Sequence, residues 1–203
     1  LIEDAFSLIT VAVNDGVIGA AIGSWRPDIS YKKPTGVNVV KLHGSVDWIS
    51  DKQNGLLRTR YGVNYNLSSS EVLIYPQATK YVETQKDPFA ALFSEFRSKI
   101  SHHKDNVLIV CGYSFGDAHI NSEILQALNQ KGNKLTLIAF VENINEFLSG
   151  LLSSELIGNK VYVASKGGVY HGNDTLVPPL HASELSWWKF DDMTAFIKDG
   201  DVR

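Results

Sequence analysis

At 203 residues, 44% hydrophobic and 20% charged, the chain has the make-up of an ordinary globular protein, large enough to bury a substantial core. Its 19 Lys and Arg against 22 Asp and Glu, with a formal net charge of -3 and no long basic run, give no electrostatic case for direct nucleic-acid binding or for an anionic membrane surface. No apolar stretch approaches the roughly 20 residues that span a bilayer, and no basic segment leads into an apolar one at the start, so no membrane insertion is expected and the cytoplasm is the expected compartment.

In chain order, residues 1–9 read as the middle of an amphipathic helix. Residues 10–36 carry Gly16, Gly19, Gly23, Gly36, Pro27 and Pro34, and are expected to form a long loop or a small irregular subdomain. Short runs rich in β-branched residues follow at 37–42, 72–75, 107–111, 135–141 and 161–164, each bounded by turn residues, which is the pattern of buried strands. The stretch 50–70 is polar, with Asn54 and Gly55 as a candidate hairpin turn. Three helices are expected. One is capped by Asp87 and opened by Pro88, one follows Asp117 and stops near Gly132, and one starts at Asn143 with Glu146 completing a capping box. Alternating strands and helices over residues 107–164 predict parallel crossovers and a doubly wound, mostly parallel α/β sheet. A main domain over residues 1–166 is expected, with the irregular insert 10–36 and the polar insert 50–70. Residues 167–203 form a C-terminal extension whose Trp187, Trp188 and last helix dock on the domain or on another subunit.

Ligands of open α/β sheets sit beyond the carboxyl ends of the strands, which directs attention to two places. His43 follows the apolar run Val39, Val40, Lys41, Leu42. An imidazole there can exchange a proton near neutral pH, or can simply be a hydrogen-bonding residue at a strand end. Gly44 lets a ligand approach the backbone, and Ser45 and Asp47 can orient the ring or line the turn. The second place is Gly112, Tyr113, Ser114, Phe115, Gly116 and Asp117, a glycine-flanked turn before a helix N-terminus that suits a ribose or a phosphate. Asp117 can serve as the helix cap alone. The turn matches neither the phosphate-binding Gly-Lys-Ser/Thr loop nor the Gly-x-Gly-x-x-Gly fingerprint.

His102, His103, His119, His171 and His181 show no metal-ligand spacing, and the single cysteine, Cys111, excludes a four-cysteine zinc site. Lying in an apolar run, Cys111 reads as an inert buried residue. Trp25 and Trp48 could wall a ligand, with core packing as the default, while Lys32, Lys33, Lys80 and Tyr81 read as solvated.

In their order, Leu42 to Trp48, then Ile74, Tyr75 and Pro76 with Lys80 and Tyr81, then Gly112 to Asn121 resemble the sirtuin-like (silent information regulator) proteins of bacteria. The resemblance covers roughly residues 1–165 and implies a Rossmann-like domain that binds NAD. It makes His43 the catalytic histidine and assigns Gly44, Ser45, Gly112, Tyr113, Ser114, Phe115 and Asp117 to the NAD pocket. Protein-deacylating sirtuins carry a four-cysteine zinc module after the His-Gly strand. Here the corresponding stretch 50–70 has no cysteine, so no metal is expected. This points to the branch that resembles NAD hydrolases of antiphage defence, which split NAD into nicotinamide and ADP-ribose. Leu1, Ile2 and Glu3 resemble the helix that follows the family's catalytic Asn-Tyr-Asp motif, so the chain is expected to begin just after that motif. Such relatives imply a homo-oligomer and an activating partner: a phage protein, a hexameric ATPase/helicase or a short Argonaute. The alternative is a noncatalytic module that senses NAD or ADP-ribose.

Overall fold

The computed structural model describes residues 5–6, 8–19, 22–51, 53, 55–59, 70–73, 87–101, 105–178, 186 and 188–199. They fall into two units, Leu1–Phe96 and Arg97–Arg203.

In the first unit the described residues of the glycine-rich stretch 10–36 form short strands and a helix. β1 (Val13–Asn14) pairs in parallel with β4 (Val37–Asn38). β2 (Val17–Ile18) and β3 (Ile22–Trp25) form an antiparallel pair, and the short helix α1 (Pro27–Ser30) follows with its proline in the first turn. Gly19 is required between β2 and β3, because its φ is +135° and a Cβ there would lie 2.2 Å from the Ile22 carbonyl oxygen. β5 (Gly44–Asp51), β6 (Gly55–Thr59) and β7 (Ser70–Leu73) complete a five-stranded sheet in the order β2-β3-β6-β5-β7, every pairing antiparallel.

The strand expected over 37–42 ends early. Pairing stops at Asn38, with one further bond from the Val39 N–H to the Asn14 carbonyl, and the chain then turns through Leu42 and His43. The Gly44 N–H donates to the Lys41 carbonyl at 2.9 Å. Its φ of +86°, a conformation natural to glycine, overrides the β-branched run before it. His43 therefore precedes the amino end of an antiparallel strand rather than ending a parallel one.

The polar stretch is partly sheet too, since Ser50 faces Leu56 and Asp51 faces Gly55 across the β5-β6 hairpin. Residues 60–69, and with them the rest of that stretch, lie outside the described residues, as do Lys80 and Tyr81.

Trp48 is fully buried among Val17, Tyr31, Phe89 and Leu92, with Trp25 edge-on at 5.3 Å, so both tryptophans are core residues. Beside this core the Asp15 carboxylate, only 2% exposed, meets Arg58 at 2.5 Å. Its other oxygen accepts from the Val17 N–H, and Arg58 also donates to the Gly19 carbonyl at 3.0 Å. Helix α2 (Phe89–Ile100) starts with the Leu92 N–H on the Pro88 carbonyl and contributes Phe89 and Leu92 to the core.

The second unit is a mixed, Rossmann-like α/β sheet in the order β12-β11-β10-β9-β8. β8 (Asn106–Cys111), β9 (Leu135–Phe140) and β10 (Val161–Ser165) run parallel. α3 (Ala118–Asn129) and α4 (Glu146–Leu152) cross between them and bury Ile124, Ala127 and Leu128, and Leu148, Leu151 and Leu152. α4 starts later than expected. Asn145 is its cap, accepting from the Leu148 N–H at 3.0 Å, so Glu146 is the first helical residue and no capping box forms.

β8 is an edge strand of its sheet, and its alternate residues Val107, Ile109 and Cys111 are exposed. The buried, inert Cys111 expected from the apolar run is thus corrected: in such a run, composition does not reveal that only one face is covered. The segment after Gly167 begins inside the sheet, as β11 (Gly168–His171) and β12 (Asp174–Val177) add to it antiparallel. α5 (Phe190–Asp199) then docks through Met193, 4% exposed, against Phe140 and Ala164. Among the described residues no helix is long and apolar enough to cross a membrane.

Replacing Arg58 by Ala leaves the Asp15 carboxylate buried without its cation, and a loss of about 3–5 kcal/mol in urea unfolding is expected. Replacing exposed Arg26, paired with Asp28 at 3.3 Å, should leave the midpoint unmoved. Burial, reinforced by the charges of Asp15 and Glu95, holds the Tyr31 phenol well above its ordinary pKa of 10.0. The unfolded chain then releases this proton first, so stability is intact below pH 10 and falls as pH rises beyond it. Tyr31→Phe should flatten the decline above about pH 10 in denaturation midpoints.

Candidate functional site

The turn after β8 is held open by a small set of internal bonds. Gly112 has a φ of +66° with no atom within 4 Å of a notional Cβ, so the position needs glycine for its backbone angle rather than for space. Phe115 also has a positive φ, 55°, which costs a bulky residue about 1–2 kcal/mol. Its ring offsets this cost. It is 4% exposed, tilted on Tyr113 at 4.9 Å and stacked on Phe147 at 5.7 Å. Its carbonyl accepts from the Asn121 amide at 2.8 Å.

The Tyr113 hydroxyl accepts from the Asp117 N–H at 3.1 Å, and its proton is placed between the Asp117 carbonyl and Asn121 Oδ1, each 3.0 Å away. Burial, aided by the Asp117 charge and opposed by the hydrogen bond to the Asp117 backbone, raises the pKa of this phenol, which keeps the donor proton in place. Asp117 caps α3 by accepting from the His119 N–H at 2.9 Å. The Asn145 side chain donates to the Ser114 carbonyl at 3.0 Å while its oxygen caps α4, so the β8-α3 and β9-α4 connections are tied together.

Between these two connections, at the carboxyl ends of β8 and β9, lies a cavity of about 340 Å³. This falls at the small end of the roughly 300–1,000 Å³ usual for ligand pockets, room for part of a dinucleotide. Gly112, Tyr113, Ser114 and Phe115 line it together, as expected for a binding turn. Asp117 does not line it, and its carboxylate is spent on the helix cap.

The wall also includes Phe140, Val141, Glu142, Asn143, Asn145, Leu148 and Trp188, none of which the sequence reading assigned to a binding site. For Val141 to Asn143 a signal existed: they follow β9 as Gly112 follows β8, and the strand-end rule applies to both. Trp188 had none, since nothing in the pattern relates it to either strand. Glu142 is the carboxylate of the wall, with the Lys166 ammonium 3.7 Å away.

His43, Gly44 and Ser45 belong to the first unit. His43 is half-buried in the turn before β5, and Gly44 faces Leu73 across the sheet. The Lys41 ammonium donates to the Ser45 hydroxyl at 3.0 Å, stands 3.8 Å from Asp47, and lies 5.7 Å from the Trp48 ring centre. Ser45 and Asp47 are thus both engaged by Lys41. His171 donates from Nε2 to the Asn159 carbonyl, 3.0 Å away, and stacks on Tyr162 at 4.1 Å. His102, His103 and His181 lie outside the described residues, and among those described no three His, Cys, Asp or Glu side chains gather as a metal site.

The parallel ladder, the glycine turn and the strand-end cavity define a nucleotide-binding type of α/β domain. The family model for the SIR2-like domain matches residues 1–157, and the chain belongs to this family, which carries an NAD-related function. No curated protein matches the chain.

Tyr113→Phe should cost about 1–3 kcal/mol, because the Asp117 N–H then loses its acceptor. Asn121→Ala should cost a similar amount. A double-mutant cycle by chemical denaturation should give less than the sum of the two, as both act on one network.

Proposed function

We propose that the full-length protein hydrolyses NAD to nicotinamide and ADP-ribose, and acts as an NAD-depleting effector of bacterial antiphage defence. The reading rests above all on the Gly112 to Phe115 turn, which presents a cavity at the carboxyl ends of two parallel strands in a SIR2-like chain. In the reaction the bond between C1′ of the ribose and the nicotinamide nitrogen breaks, and its electron pair leaves with nicotinamide. An oxocarbenium-like centre forms at C1′ and water adds to it.

His43 is the general base, taking a proton from a ribose hydroxyl or from the attacking water. The imidazole suits the task because its ordinary pKa lies near working pH. Gly44 and Ser45 frame the histidine turn, while Gly112, Tyr113, Ser114 and Phe115 keep the dinucleotide in register and Asp117 fixes that turn as the cap of α3. Orientation of that kind contributes up to about 7–11 kcal/mol in the best cases. Hydrolysis of NAD by this route needs no metal.

An activity that empties a cell of NAD has to stay silent until needed. The proposal therefore includes self-assembly and release by a partner of the kinds named above.

His43→Ala in the full-length protein should lower nicotinamide release about 100- to 10,000-fold while the chain still folds, as circular dichroism would show. Wild-type turnover in that variant would remove His43 from the mechanism. Tight NAD binding with no product over hours would instead favour the sensing module, and release of an acyl group from an acyl-lysine peptide would favour deacylation.

A further inference from the structure

The turn that carries His43 is closed twice, and both closures come from Lys41. Its carbonyl accepts from the Gly44 N–H at 2.9 Å, which makes Lys41 to Gly44 a four-residue β-turn with Leu42 and His43 at its centre. Its ammonium reaches past the turn to donate to the Ser45 hydroxyl at 3.0 Å, and stands 3.8 Å from Asp47 Oδ1. The first bond fixes the backbone of His43. The side-chain contacts tie the strand that leaves the turn back to the residue that enters it.

The β-ladder is irregular at this place. β6 registers with β5 over Trp48 to Asp51, and the register with β7 shifts between Gly44 and Ile49, so Ser45 and Asp47 fall in the stretch between the two regular pairings. Val40 and Leu42 anchor the apolar side of the turn on the Trp48 core, and Lys41 anchors its polar side. A lysine side chain only 15% exposed is unusual in itself, because burying an ammonium is unfavourable unless partners take its hydrogens. Here the partners are a hydroxyl and a carboxylate, with the Trp48 ring centre 5.7 Å away.

We propose that Lys41 positions His43: through Ser45 and Asp47 its ammonium holds the turn in the arrangement that aims the imidazole at the proton it takes. The inference rests on the reading that His43 is the general base. It gives Lys41 no contact with NAD, and makes it a positioning residue that acts through the histidine.

The test measures nicotinamide release by the full-length protein over a range of NAD concentrations. Lys41→Met keeps the apolar stem and removes the donors. It should lower kcat roughly 10- to 100-fold, the size expected for a reacting group misplaced by about 1 Å, and leave KM within about twofold. With His43 already replaced by Ala, the same Lys41→Met change should lower the residual turnover less than about twofold, because no imidazole remains to be aimed. Ser45→Ala cuts the tie from its other end while Asp47 still faces the ammonium. It should give a smaller loss, again in kcat, and it carries the test if Lys41→Met does not fold.

Wild-type kcat in both Lys41→Met and Ser45→Ala, a loss confined to KM, or an equal fold-loss with and without His43 would overturn the positioning role while leaving the hydrolysis reading in place. If His43→Ala keeps wild-type turnover, or the wild-type protein releases no nicotinamide, that reading falls and the inference falls with it.

Discussion

The in-register parallel pairing of β8, β9 and β10 sets where everything at the cavity can be. Cys111 stands opposite Phe140, and Phe140 opposite Ala164, so the three strands end level and their following connections open on the same edge. A slip of one residue would turn each strand's buried face outward, exposing Leu135, Leu137, Val161 and Val163, all at 1% exposure or less. The register is therefore enforced by burial, and the cavity inherits its position from the core. Gly112 and Val141 follow directly from these ends, with helix caps at Asp117 and Asn145 as the next fixed points.

What the site adds to the ladder is mostly polar wiring of its own backbone. Tyr113, Asn121 and Asn145 spend their hydrogen-bonding capacity on the Asp117, Phe115 and Ser114 main chain. A loop wired this way enters an encounter with ligand already ordered, so less of the binding free energy is lost to fixing its conformation. The side chains that line the cavity are aromatic, aliphatic, hydroxyl and amidic, with Glu142 as the carboxylate.

The second unit was far more legible in the sequence than the first. Runs such as 135–140 stand out because Leu135, Leu137, Ala139 and Phe140 are buried and the residues between them partly so, and Asp117 marked its helix through ordinary cap chemistry. The antiparallel sheet of the first unit was missed because its strands are short, interrupted by glycines and half-exposed, so no clean alternation survives in Gly44–Asp51. His43 was singled out by residue type and motif, and its backbone setting was misread. A run of Val39, Val40 and Leu42 looks like a strand until the angle at Gly44 is known, and an angle leaves no composition behind. Trp188 was beyond reach for a different reason: the docking of α5 on Phe140 joins positions that no local pattern connects.

The buried Asp15 carboxylate has a consequence for how the chain is made. Its cation, Arg58, lies 43 residues further on, and its neighbour Asn14 bonds Asn38 across 24 residues, so each of these two contacts closes a long loop. At about 5–20 residues per second, Arg58 leaves the ribosome some 2–9 seconds after Asp15. Until it arrives, moving the carboxylate out of water is unfavourable. The nascent segment is thereby kept hydrated and uncollapsed, and β2 and β3 settle only when β6 is there to receive them.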